Sequence, residues 1–286
     1  MDRALLLGLS ALVAACGGNT KDPGPSQLIH QLAVSEEQVC VVRESGALEC
    51  FATGGSLADA ASPLAGRFKR VSAGNRGGAA LGEDGVVQYW GVTDDTLPQG
   101  TFLELAGDGS AACGIRSDGS LECGGLEGKF ERARLPGRFR QVVLVGTGGV
   151  CGVTDSGQLL CHQKQPGEKR PPEGLDEFTS VAIERTASTG GCGVTRDAAL
   201  QCWGQVCAAP GAYRGVALTH LDTCAVASNG ELSCWANAAC DLEGSQPRRQ
   251  PHKMPPPGSF GQLAASVYGT CAVNAAADDV LCWGVF

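Results

Sequence analysis

The sequence predicts an all-β chain: a seven-bladed β-propeller of short three- to four-stranded blades, with hairpins stapled by disulfides. Three observations predict it. An eleven-residue unit bounded by cysteines recurs, and one copy keeps the pattern without them. Upstream of every copy an aromatic or aliphatic residue is followed three positions later by Val or Leu. Successive copies begin 32 to 47 residues apart, the length of a propeller blade, and helical periodicity is absent.

In chain order the copies start at Cys40 (CVVRESGALEC), Ala79 (AALGEDGVVQY), Cys113 (CGIRSDGSLEC), Cys151 (CGVTDSGQLLC), Cys192 (CGVTRDAALQC), Cys224 (CAVASNGELSC) and Cys271 (CAVNAAADDVLC, one residue longer). The upstream pairs are Ile29/Leu32, Phe68/Val71, Phe102/Leu105, Phe139/Val142, Phe178/Val181, Tyr213/Val216 and Phe260/Leu263. Each repeat reads as strand, strand, tight turn, strand.

The turn residues support this. The midpoint of Cys113 to Cys123 is Asp118, so the hairpin loop holds an odd number of residues. Ser117-Asp118-Gly119 fits a type I turn followed by a left-handed residue. Gly46, Gly85, Gly119, Gly157 and Gly230 fill that left-handed position, where a Cβ is costly. Ala198 breaks the pattern and predicts strain or a different turn. Asp and Glu at the turn tips read as turn formers. The register sets each first cysteine opposite its second, about 4.5–5.5 Å apart at Cα, within disulfide reach. Ile115 and Leu121 then share the cysteine face, and Gly114, Arg116, Ser120 and Glu122 take the other. Small residues such as Gly114, Ala225 and Ala272 would let a neighbouring blade come close.

The 15 cysteines are accounted for on this basis. Twelve form six hairpin pairs: Cys40 with Cys50, Cys113 with Cys123, Cys151 with Cys161, Cys192 with Cys202, Cys224 with Cys234, and Cys271 with Cys282. Cys207 and Cys240 occupy matching places after adjacent copies and are expected to join two blades. A separation of ten is wrong for zinc knuckles, which favour cysteines two to four apart, so disulfides in an oxidising compartment are the expectation.

The remaining cysteine is Cys16. Arg3 precedes a short apolar run, Ala4 to Ala15, which closes Val-Ala-Ala-Cys. This resembles a bacterial lipoprotein signal; an ordinary secretory leader and a buried helix are the alternatives. The resemblance implies a signal over 1–15, lipid on Cys16 and, from Gly17, an outer-membrane destination. Residues 16–27 are rich in Gly, Pro and polar side chains and read as a flexible tether. The propeller then occupies 28–286.

Net charge is −8, which speaks against general nucleic-acid binding. His30, His162, His220 and His252 are scattered and lack ligand partners at metal spacing. No nucleophile elbow, P-loop or dinucleotide fingerprint occurs. No catalytic set, metal or cofactor is therefore expected. One long connection is basic and stiffened by proline: Arg248, Arg249, His252 and Lys253, followed by Pro255 to Pro257. It reads as a solvated loop or as a docking loop for an acidic partner or anionic glycan. Lys129 to Arg140 is also basic and reads as a blade edge.

At the level of C-A-V-x-x-x-G-x-L-x-C-W-G the repeats resemble the regulator-of-chromosome-condensation family, in an exported, cysteine-containing form. The resemblance covers about nine-tenths of the chain and implies a fold rather than an activity. The GTPase-directed insertions of founding members find no counterpart here. The expectation is a monomeric, non-enzymatic, lipid-anchored envelope propeller that binds a protein or polysaccharide through loops. The alternatives are an envelope hydrolase or lyase with its site in the propeller mouth, and an inhibitor of an exported enzyme. How the ring closes is open, because the chain ends soon after Cys282.

Overall fold

The computed structural model describes residues 27–75, 77–91, 97–107, 111–125, 135–145, 149–162, 177–184, 190–204, 206–237 and 254–284. Twenty-one strands form seven antiparallel sheets of three, each built from one repeat. Blade 1 is β1 (Ile29–Val34), β2 (Gln38–Arg43) and β3 (Leu48–Ala52). Blade 2 is β4 (Phe68–Gly74), β5 (Gly77–Gly82) and β6 (Val87–Gly91). Blade 3 is β7 (Glu104–Gly107), β8 (Ala111–Ile115) and β9 (Leu121–Gly125). Blade 4 is β10 (Phe139–Val145), β11 (Gly149–Thr154) and β12 (Leu159–His162). Blade 5 is β13 (Phe178–Ile183), β14 (Gly191–Thr195) and β15 (Leu200–Trp203). Blade 6 is β16 (Tyr213–Leu218), β17 (Asp222–Ala227) and β18 (Leu232–Ala236). Blade 7 is β19 (Phe260–Ala265), β20 (Gly269–Asn274) and β21 (Val280–Gly284). The seven repeats are thus seven blades, three strands each among the described residues.

The hairpin turns take the form their sequences demand. Gly46, Gly85, Gly119, Gly157 and Gly230 all have positive φ, between 82° and 96°. Ala198 adopts the same conformation at φ 67°, and so does Ala277 in the longer last turn at 58°. Of the two outcomes open at Ala198, the turn is kept and strain accepted. The turn acids act locally: Asp118 Oδ1 accepts from the Ser120 N–H and Asp84 Oδ1 from the Val86 N–H.

The left-handed residue has a second use: it turns its carbonyl toward the next blade. Phe68 N–H donates to Gly46, Phe102 to Gly85, Phe139 to Gly119, Phe178 to Gly157, Tyr213 to Ala198 and Phe260 to Gly230, at 2.7–3.1 Å. Ile29 N–H donates to Ala277 at 2.5 Å. The ring therefore closes between blades 7 and 1 by the bond used at every other joint.

These seven side chains fill the wedges between blades. Phe102 packs on Leu81 and Val87 of blade 2, and its ring lies where a Cβ on Gly114 of blade 3 would come within 2.3 Å. Gly152 and Gly193 give the same room to Phe139 and Phe178. The small residues thus admit an aromatic ring of their own repeat, wedged against the preceding blade. Opposite that face, Cys113, Ile115, Leu121 and Cys123 form one cluster with Phe139, the alternation the register requires.

All six hairpin disulfides are present, with Cα atoms 4.0–4.1 Å apart. This is tighter than the 4.5–5.5 Å expected. The Arg116–Ser120 backbone bond and strict alternation put Cys113 and Cys123 at a non-hydrogen-bonded site, where strands approach most closely. Cys207 is also disulfide-bonded, to none of these twelve. Cys240 lies outside the described residues, as does Cys16. Seven cross-links among so few aromatics belong to an oxidising environment.

Candidate functional site

The inner strands surround a central channel of about 490 Å³. The positions two after each wedge residue are Gln31, Arg70, Glu104, Gln141, Ser180, Gly215 and Gln262, one on each inner strand. An inner strand is a sheet edge, with N–H and C=O groups unpaired by its own blade. The ring supplies partners for them. Gln31 of blade 1 donates to the Val71 carbonyl of blade 2 at 2.9 Å and accepts from the Val71 N–H at 2.5 Å. Gln141 repeats this with Val181 of blade 5, at 3.1 and 3.0 Å. Gln262 donates to the His30 carbonyl at 2.7 Å, across the closing joint.

Blades 2 and 3 use charge instead. Arg70 Nε lies 3.2 Å from Glu104 Oε2. Burial pushes the Glu104 carboxyl above the usual carboxylate range, and Arg70 draws it partly back. Ser72 and Gly107 bond reciprocally beside them.

Besides the Arg70–Glu104 pair of the ring, one further charged residue lines the channel among the described residues, Arg214. Its Nη2 donates to the Phe260 carbonyl of blade 7, and Arg140, at the homologous place in blade 4, does the same to Phe178. Neither guanidinium has a carboxylate partner among the described residues. The described wall offers carboxamides, the Ser180 hydroxyl and this cation, set among Val, Leu, Ile, Ala and Gly. Such a wall can orient an anion at Arg214, since the Glu104 carboxylate of the ring is already paired with Arg70.

The opposite rim is formed by the hairpins between first and second strands. Ser35, Thr219 and Ser266 are buried there, and each hydroxyl accepts backbone N–H bonds within its own turn. The turns of blades 6, 7, 1 and 2 are linked in succession. Glu36 N–H donates to Asn75 Oδ1, Val267 N–H to Glu36 Oε1, and His220 N–H to the Val267 carbonyl. His220 Nδ1 stands 2.6 Å from Glu184 Oε1, a carboxylate only 7% exposed, and meets the edge of the Tyr268 ring at 6.0 Å.

Of the residues singled out from sequence, Arg248, Arg249, His252 and Lys253 lie outside the described residues. Arg138, from the second basic stretch, pairs with Asp155 at 3.2 Å. His30 is near Glu44, at 3.5 Å. The Glu184–His220 pair is 36 residues apart in sequence and was not anticipated. The rim hydroxyls do carry a signal: Ser35, Thr219 and Ser266 each precede a hairpin cysteine by five residues. No cluster of three or more potential metal ligands occurs among the described residues.

No family model matches the chain, and no curated protein does. Solved structures do. The CRINKLY WD40 ectodomain of the Arabidopsis thaliana receptor kinase ACR4 superposes with a TM-score of 0.67 at 17% identity, covering 90% of this chain and 96% of that one. The ectodomain of the Physcomitrella patens receptor kinase CR4 matches with the same score and identity, covering 90% and 73%. The Cps50 (Swd1) β-propeller domain of Myceliophteria thermophila gives 0.60 at 12%, covering 90% and 97%. The chain is a β-propeller. At these identities the likeness extends to the propeller fold and no further.

Proposed function

We propose that this propeller is an exported, lipid-anchored binding protein of the cell envelope that holds a protein or polysaccharide partner. The observation that carries the reading is the pairing of a disulfide-stapled ring with a channel wall of binding groups: carboxamides, one hydroxyl and one guanidinium. Disulfides of this number belong outside the reducing cytosol. Two of the structural neighbours are receptor-kinase ectodomains, also outside the cell. The Ala4 to Ala15 run closing on Cys16 supports the anchor, and the outer-membrane destination follows from Gly17 by resemblance. The basic connection holding Arg248, Arg249, His252 and Lys253 is the candidate docking loop.

The test uses the full chain exported in its native host. Labelled palmitate incorporated into wild type and lost in Cys16→Ser supports the anchor; equal labelling removes it. Crosslinking in intact cells then compares wild type with a chain lacking residues 248–257. A crosslinked partner lost on deletion supports the loop, and an unchanged partner assigns binding elsewhere on the ring.

A further inference from the structure

We propose that the channel wall at blades 6 and 7 is a recognition site for an acidic peptide segment, bound along the strand edges with a carboxylate on Arg214. This deepens the binding reading above and rests on it.

The ring of side chains is broken where Ser180 and Gly215 replace a longer side chain. Val71 and Val181 have both backbone groups met by a glutamine carboxamide of the preceding blade. The residues that would do the same for Val216 and Leu263 are Ser180 and Gly215, too short to reach. Val216 and Leu263 line the channel and receive no side-chain hydrogen bond among the described residues. A Cβ built on Gly215 meets nothing within 4 Å, so the missing side chain leaves open space rather than a filled gap.

The partner's chemistry follows from what fills the equivalent places. A glutamine carboxamide offers one N–H donor and one C=O acceptor. A peptide unit offers the same pair, and an extended peptide repeats it along a strand edge. Arg214 stands beside the notch. Arginine has five N–H donors in a fixed fork suited to a carboxylate; one nitrogen is committed to the Phe260 carbonyl, and no carboxylate among the described residues neutralises the group. The chain carries net charge −8, so an anion is repelled by the protein at large and held at this position.

The test is fluorescence anisotropy on the full, disulfide-intact chain, with pooled labelled hexapeptides carrying Asp or Glu at alternate positions. Wild type is expected to bind, more weakly as salt rises. Arg214→Gln is expected to weaken binding at least tenfold. Gly215→Gln supplies the absent carboxamide and is expected to abolish binding while leaving the melting temperature equal to or above wild type. That combination separates a blocked site from a misfolded protein. Absence of wild-type binding, or affinity unchanged in either variant, overturns the proposal. Displacement of the peptides by oligogalacturonate at lower concentration than by unlabelled peptide overturns the peptide assignment. Loss of peptide binding with the cellular crosslink retained would reject the channel site while the wider binding role stands.

Discussion

The Ile29 N–H donates to the carbonyl of Ala277, so the first strand of the ring is seated on the last hairpin turn. Ile29 takes the place that Phe or Tyr takes in the other six repeats, and it packs with Val39, Val41 and Val273 across the joint between blades 7 and 1. The joint between the last blade and the first is therefore built like the others.

Ile29→Ala should destabilise the protein by about 2–5 kcal/mol, the usual cost of emptying a buried aliphatic site. Ile29 is 3% exposed, so the full effect applies. Urea unfolding measures it. A loss below about 0.5 kcal/mol, typical of surface positions, would mean that the closing joint is frayed.

Ala198 and Ala277 hold a conformation that costs an L-residue roughly 1–2 kcal/mol. Ala198→Gly relieves this, at the expense of a more flexible unfolded chain. The expected net gain is about 0.5–1 kcal/mol, read as a higher denaturation midpoint. Gly119→Ala should move it the other way, because its Cβ would also meet the Arg138 Cβ at 2.9 Å. Equal midpoints for all three proteins would contradict this account of the turn.

Removing one hairpin disulfide, as in Cys113→Ala with Cys123→Ala, should cost about 2–3 kcal/mol by the loop-entropy relation. Blade 2 offers the converse. Ala79 stands directly opposite Tyr89 in its register, so Ala79→Cys with Tyr89→Cys should form a seventh hairpin disulfide, detectable by peptide mapping. The net gain will be smaller. Tyr89 donates to the Pro98 carbonyl at 2.7 Å, and that bond, worth about 1 kcal/mol, is lost. Free thiols at both positions would show that this register is not held in solution.

The Glu104 carboxyl titrates above its ordinary range because it is buried. Such a group binds its proton more readily when folded than when unfolded. Its contribution to stability is therefore largest below the ordinary carboxylate pKa, falls as pH rises through the folded value, and is level above it. Glu104→Gln removes that slope. The stability difference, wild type minus Glu104→Gln, should decline as pH rises above the ordinary carboxylate range and then level off; parallel curves would disprove it.

Much of this architecture is legible in the sequence because its determinants are local. A cysteine pair ten residues apart, a glycine after the turn midpoint and an aromatic eleven residues upstream are each decided within one repeat. The polar ring of the channel is not local. Gln31 and Val71 are 40 residues apart, and nothing near Gln31 says that its amide caps a foreign strand edge. The motif becomes visible only afterwards, in the recurrence of Gln before Leu or Val at Gln31, Gln141 and Gln262. Glu184 and His220 meet for the same reason, through hairpins of adjacent blades. The gap at Ser180 and Gly215 was unreadable for a further reason: it is defined by the carboxamides that blades 1 and 4 possess at the same place.

Among the described residues each blade is three consecutive strands of one repeat. The first and last blades meet at a joint like any other, so the described ring does not depend on which blade comes first. Linking Gly284 to Leu28 through a spacer as long as the chain's own connections between blades, and opening the chain between two other blades, would yield circular permutants of the same ring. By the same logic, a whole repeat could be duplicated or lost in evolution without rethreading the remaining blades.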